Sequence, residues 1–131
     1  MTEHTAWSDL PNAKFIDLVM DSVKKNPAAW DAAWDAARNA ASGAARNAAW
    51  NAAWDAAWYA ARNAAWYAEW TAARGAARGA ILALIAWDDC GYLLEENPED
   101  VKMLALLGNQ AAVLLYTACL ALQNTKELEM V

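Results

Sequence analysis

A period of four dominates the chain. From Ala28 to Gly79 run thirteen tetrapeptides in unbroken register, with Ala in the first two slots of each except at Glu69. The third slot holds Trp seven times, Arg five times and Ser once, and the fourth holds Asp, Asn, Gly, Thr or Tyr. Ala is the strongest helix former, and β-branched residues are nearly missing from the repeat, so the pattern predicts helix. An α-helix turns once per ~3.6 residues, so a period of four drifts by ~40° per repeat. The Trp/Arg row therefore winds around its helix, and a helix apolar on all sides has to be enclosed. On this reading the stretch forms one long Ala/Trp-rich central helix packed against copies of itself in a symmetric homo-oligomer. Its weakest point is Ser42-Gly43, in the one repeat with neither Trp nor Arg. A glycine there supplies the left-handed residue that ends many helices, so a break is expected at 42–43. Beyond it the helix is expected to run from Ala44 through Ile81, Leu84 and Trp87 towards Tyr92. Gly75 and Gly79 lie four apart and suit close helix contact.

The flanks carry ordinary amphipathic signals. Phe15, Ile16, Leu18, Val19, Met20 and Val23 form an apolar stripe, with Asp17, Asp21, Lys24 and Lys25 on the other side, which predicts a helix over Pro11–Lys25. Asn26-Pro27 reads as an N-cap followed by the first residue of the next helix. Asn97-Pro98 reads the same way, with Glu99 and Asp100 in the first turn, where the helix dipole favours acids. That last helix is expected to reach Leu122, with Leu104, Leu107, Ala111, Leu114, Leu115, Ala118 and Leu122 inward. Its apolar run contains Gly108, Asn109 and Gln110 and lacks a basic anchor, so it reads as a core helix and not a membrane span. The whole is one all-α domain, a helical bundle over 1–131: an N-terminal helix within 8–26, repeat helices within 27–94, a C-terminal helix within 97–123 and a tail at 124–131.

Composition narrows the function. The chain has 131 residues, 59% of them apolar, and a net charge of −6. The repeat is +1, from five Arg against Asp31, Asp35, Asp55 and Glu69, whereas residues 82–131 carry two Lys against eight acids. An acidic chain is poorly suited to neutralising nucleic-acid phosphates. Cys90 and Cys119 stand apart with no C-x-x-C pattern, which fits buried thiols in a reducing cytoplasm. The polar, mixed first fifteen residues do not read as a signal peptide. His4 is the single histidine, so no nucleophile–base–acid set, metal site or phosphate loop is legible, and the chain reads as a non-enzyme without cofactor.

Third-slot residues are i,i+4 neighbours, which brings Trp near Trp (Trp30/Trp34, Trp50/Trp54/Trp58, Trp66/Trp70) and allows cation–π contact at Trp34/Arg38, Trp58/Arg62 and Trp70/Arg74. Tyr59, Arg62 and Trp66 share one face, as do Tyr67, Trp70 and Arg74. Aromatic planes beside guanidinium groups can hold a nucleobase and its phosphate, so these six are the candidate ligand-binding residues. The competing reading makes the Trp row core, with Arg at its edge or paired with acids, as at Asp35/Arg38. The acids Asp88, Asp89, Glu95, Glu96, Glu99 and Asp100 read as a solvated turn and helix start; a nucleic-acid-mimicking face is the sharper alternative.

The strings AAWDAARNAA and AAWDAAWYAARNAAWYA resemble the Ala-rich tetrapeptide runs of small proteins encoded by tailed bacteriophages, which typically end in a short aliphatic helix such as Ala80–Ala86 here. The resemblance covers about fifty residues of the chain. It implies a phage accessory protein acting in the host bacterial cytoplasm, and carries over no catalytic residue. Taken with the aromatic and guanidinium groups, it leads to the expectation of a protein that sequesters a small nucleotide-like anion, a host immune signal, as counter-defence. The alternative is a helical assembly that blocks or scaffolds a host or virion protein. Its expected partners are itself, a nucleotide or a host protein, and neither nucleic acid nor membrane.

Overall fold

The computed structural model describes residues 7–61, Trp70 and residues 75–129, all in helices and turns. In chain order they form α1 (Ala13–Lys25), α2 (Pro27–Ala37), α3 (Gly43–Ala61), α4 (Gly75–Ala86), a 3-10 turn (Gly91–Glu95), α5 (Pro98–Leu106) and α6 (Gln110–Glu129). The architecture is an all-α bundle.

Its centre is α4. Ala77, Ala80, Ile81, Leu82, Ala83, Leu84 and Ile85 are all buried, so from Ala80 to Ile85 the helix is apolar all round. α1, α2, α3 and α6 pack about it. The expectation of one helix from Ala44 to Tyr92 does not hold. α3 and α4 lie side by side, and the position a Cβ would take at Gly79 is 3.8 Å from the Trp50 ring. Those residues would be separated by ~43 Å along a single straight helix.

Within a single chain the Trp row on α3 is not enclosed: Trp50 and Trp54 are partly buried and Trp58 is exposed. Asn47, Asn51, Asp55 and Tyr59, the fourth-slot residues, are all exposed, while the second-slot Ala49, Ala53 and Ala57 are fully buried. Across three repeats the buried row drifts by only ~80°, which a broad contact face accommodates. The helix that must be enclosed is the aliphatic one, and a single chain encloses it.

A break does separate α2 from α3, but Gly43 does not make it. α2 ends at Ala37, and Gly43 is the first residue of α3 without a positive φ. Ser42 caps α3 instead, its Oγ accepting the Ala45 N–H at 3.1 Å. At Asn26 the backbone N–H closes α1 on Ser22 O at 2.8 Å, and the side chain makes no cap bond to α2. Asn97 Oδ1 does cap α5, accepting Glu99 N–H at 2.8 Å.

The expected C-terminal helix is two helices. Gly108 has φ 91°, the Gly108 N–H donates to Ala105 O at 3.0 Å, and the Asn109 N–H donates to Leu104 O at 3.0 Å. This is a Schellman ending. Asn109 Oδ1 then accepts the Ala112 N–H at 2.9 Å and caps α6. The turn takes Leu107 out of the interior, to 77% exposure. No described helix is long and apolar enough to cross a membrane.

The end of α4 is closed from far away in sequence. Buried Asn12 donates from Nδ2 to Leu84 O at 3.0 Å and to Trp87 O at 2.8 Å. The Cys90 thiol donates to Ala83 O at 3.4 Å, and the Cys119 thiol donates to Leu93 O at 3.1 Å. Burial pushes both thiols up to about 12 from 9.0, Cys90 with help from the Asp89 carboxylate, so both stay protonated and keep donating at neutral pH. Gly91 is required beside this clamp: a Cβ there would meet the Phe15 ring and stand 2.7 Å from Asn12 Oδ1.

Asn12→Ala leaves one buried and one partly buried carbonyl group without their donor, and is expected to lower unfolding free energy by ~2–4 kcal/mol in urea denaturation. A loss under ~1 kcal/mol would mean that the end of α4 does not depend on this side chain.

Candidate functional site

α2 and α3 are joined by a short turn, and the third-slot residues on either side of it come together. The Arg46 Nη1 donates to Arg38 O at 2.9 Å, so one guanidinium closes the end of α2. The Arg38 guanidinium makes no hydrogen bond or ion pair among the described residues, and the Asp35/Arg38 pair expected from spacing does not form. Trp34, one turn before Arg38, is half exposed, and Trp50, one turn after Arg46, is partly buried.

These four side chains border a cleft of about 540 Å³. α3 adds Gly43 and Asn47, α4 adds Gly75, Ala76 and Gly79, and α6 adds Val113, Leu114 and Thr117. Glycine shapes it in two ways. At Gly79 a Cβ would stand 3.4 Å from Leu114 Cδ2, so α4 and α6 approach closely at that point. At Gly75 a Cβ would meet nothing within 4 Å, so the missing side chain leaves space open. No Asp or Glu lies among the described residues that line the cleft. In a chain of net charge −6 it is a local concentration of positive charge between indole rings. The volume is typical of sites for small organic ligands.

The six residues singled out from sequence are placed differently. Arg62, Trp66, Tyr67 and Arg74 lie outside the described residues. Tyr59 is exposed on α3, at a shallow depression with Trp54, Asp55 and Trp58. Trp70 is buried. Its Nε1 donates to Arg78 O at 3.0 Å, its ring meets Trp50 at 5.8 Å and Trp54 at 5.2 Å between centroids, and the Arg78 guanidinium lies 5.3 Å from its centroid. Aromatic–guanidinium contact thus occurs at Trp70 through Arg78, two turns on, and Trp70 is a packing hub.

The residues bordering the cleft had a signal in the sequence. Trp34/Arg38 and Arg46/Trp50 are both i,i+4 pairs, and they flank the expected break symmetrically. A turn there folds one pair back on the other. Thr117, by contrast, had no signal, being a single threonine within the apolar run from Ala111 to Leu122.

Among the described residues no three of His, Cys, Asp or Glu are grouped to hold a metal ion. Comparison with protein-family models, with curated proteins and with solved structures finds no match to the chain.

The two arginines differ in what the fold asks of them. Arg46→Gln is expected to lower stability by ~0.5–1.5 kcal/mol, because α2 loses its closing donor, whereas Arg38→Gln is expected to change it by less than ~0.5 kcal/mol. Equal losses in chemical denaturation would mean that Arg38 also serves the fold.

Proposed function

We propose that the protein is a non-enzymatic binder that sequesters a small nucleotide-like anion in the cleft between α2, α3, α4 and α6. Arg38 and Arg46 meet the phosphate, and Trp34 and Trp50 flank the ring. The observation that carries this reading is the gathering of two guanidinium groups and two indoles around one cleft that no described carboxylate lines. Guanidinium matches phosphate through paired, charge-assisted hydrogen bonds, and base–aromatic stacking contributes ~1–3 kcal/mol per base. Arg46 is held by the Arg38 carbonyl and so is oriented before a ligand arrives, which reduces the entropy lost on binding. The resemblance of the repeat to phage-encoded proteins supplies the setting: an accessory protein in the host bacterial cytoplasm that removes an immune signal as counter-defence.

Melting curves with adenosine and guanosine mono-, di- and triphosphates and cyclic dinucleotides test this. A ligand at ~100 times its Kd adds ~2.7 kcal/mol to stability. At least one nucleotide is expected to raise the melting temperature, and Arg38→Gln to abolish the rise while leaving the unliganded melt unchanged. No rise with any of them sinks the proposal.

Self-association is part of the same proposal, on a ground other than enclosure of the repeat. Trp58 and Tyr59 stand 53% and 68% exposed on α3, a surface that a second copy would cover. The solution mass is expected to exceed that of one 14.3 kDa chain, and a strict monomer at high micromolar concentration removes this part. The reading as a protein-blocking assembly is favoured by a separate feature, the exposed Met103, Leu106 and Leu107 at the end of α5.

A further inference from the structure

Three polar side chains are buried among the described residues: Asn12, Ser22 and Thr117. Two of them are paired. Asn12 donates to Leu84 O and Trp87 O, and Ser22 Oγ accepts the Trp30 indole N–H at 2.9 Å. Thr117 is only 5% exposed, and its hydroxyl makes no hydrogen bond with any described residue. A threonine inside a helix can bond back to the carbonyl four residues earlier, here that of Val113, and Thr117 does not. Buried polar groups without a partner are rare, and strain, a chemical role or a bound water or ion are the physical reasons for them.

The open space that Thr117 borders is the cleft. With Val113 and Leu114 it forms the contribution of α6, and it is the one polar side chain among those three. The guanidinium groups belong to Arg38, just past the end of α2, and to Arg46 on α3. A nucleotide with its phosphate at Arg38 and Arg46 has its base to place within the same cleft, where Thr117 is the hydroxyl-bearing residue of the α6 lining.

We infer that Thr117 hydrogen-bonds the edge of the ligand's nucleobase and thereby distinguishes a nucleotide from a sugar phosphate that lacks a base. The inference rests on the proposed reading of the cleft. A hydroxyl both donates and accepts, so Thr117 demands a polar ring edge without selecting one base. An anion without a base leaves the hydroxyl as it is in the free protein and gains nothing from it.

The test compares wild type, Thr117→Val and Thr117→Ser by calorimetric titration with the nucleotide panel and with ribose 5-phosphate. Valine keeps the shape and removes the hydroxyl. Thr117→Val is expected to weaken the best nucleotide about tenfold and to leave ribose 5-phosphate unchanged, while Thr117→Ser stays near wild type. The unliganded Thr117→Val protein is expected to melt at or above the wild-type temperature, because it loses no internal bond. Equal nucleotide affinity in wild type and Thr117→Val overturns the role of Thr117 and leaves the cleft reading standing. A fall in the unliganded melting temperature also overturns it, by giving the hydroxyl a structural partner. Failure of wild type to bind any nucleotide overturns both.

Discussion

The fold depends on enclosing one short helix whose second half is apolar on every side. α4 can exist only where neighbours cover it all round and its terminal carbonyl groups find donors away from water. Asn12 provides donors for Leu84 and Trp87, and the Cys90 thiol provides one for Ala83. These bonds tie the segment before α1 to the end of α4, across 72 residues of sequence in the case of Leu84. The clamp leaves no space for a side chain at Gly91, which fixes how the 3-10 turn leads into α5.

The alanines make the enclosure possible at this chain length. A row of Ala49, Ala53 and Ala57 lets α3 lie close along the core, and Ala77, Ala80 and Ala83 do the same on α4. Close backbones leave little volume to fill, so the large aromatic side chains collect at the edges of the contact. Trp30 is fully buried and anchored on Ser22, and Trp70 fills the space beside Trp50 and Trp54. The cleft opens where this filling stops, at the pair of glycines on α4.

Features that depend on neighbouring residues were legible in the sequence. The all-α class followed from alanine content, the Asn97 cap from its Pro and acids, and a break near Ser42-Gly43 from the repeat that lacks both Trp and Arg. Gly108-Asn109 held a readable stop and start, but the apolar residues on both sides mask it, so periodicity alone places Leu107 inward when the turn exposes it. The pairing of α3 with α4 was not legible, because a period of four looks alike whether the helix continues or folds back. The chemistry of the candidate site was legible as a type, aromatic with guanidinium. Which arginines come together depends on where the chain turns, and that turn selects Arg38 and Arg46.

The buried alanine row on α3 has the same spacing as the repeat itself. Deleting one tetrapeptide from α3 would shorten it by ~6 Å and rotate the downstream end of the helix by ~40°, yet every alanine lost from the contact is replaced by another alanine. Length is thus separated from core identity: the helix can be resized in whole units without redesigning what it touches. The same indifference leaves the alanine row with no mark of its own register, so the alignment of α3 must come from the Ser42 cap before it and from Trp50 and Trp54, which meet Trp70.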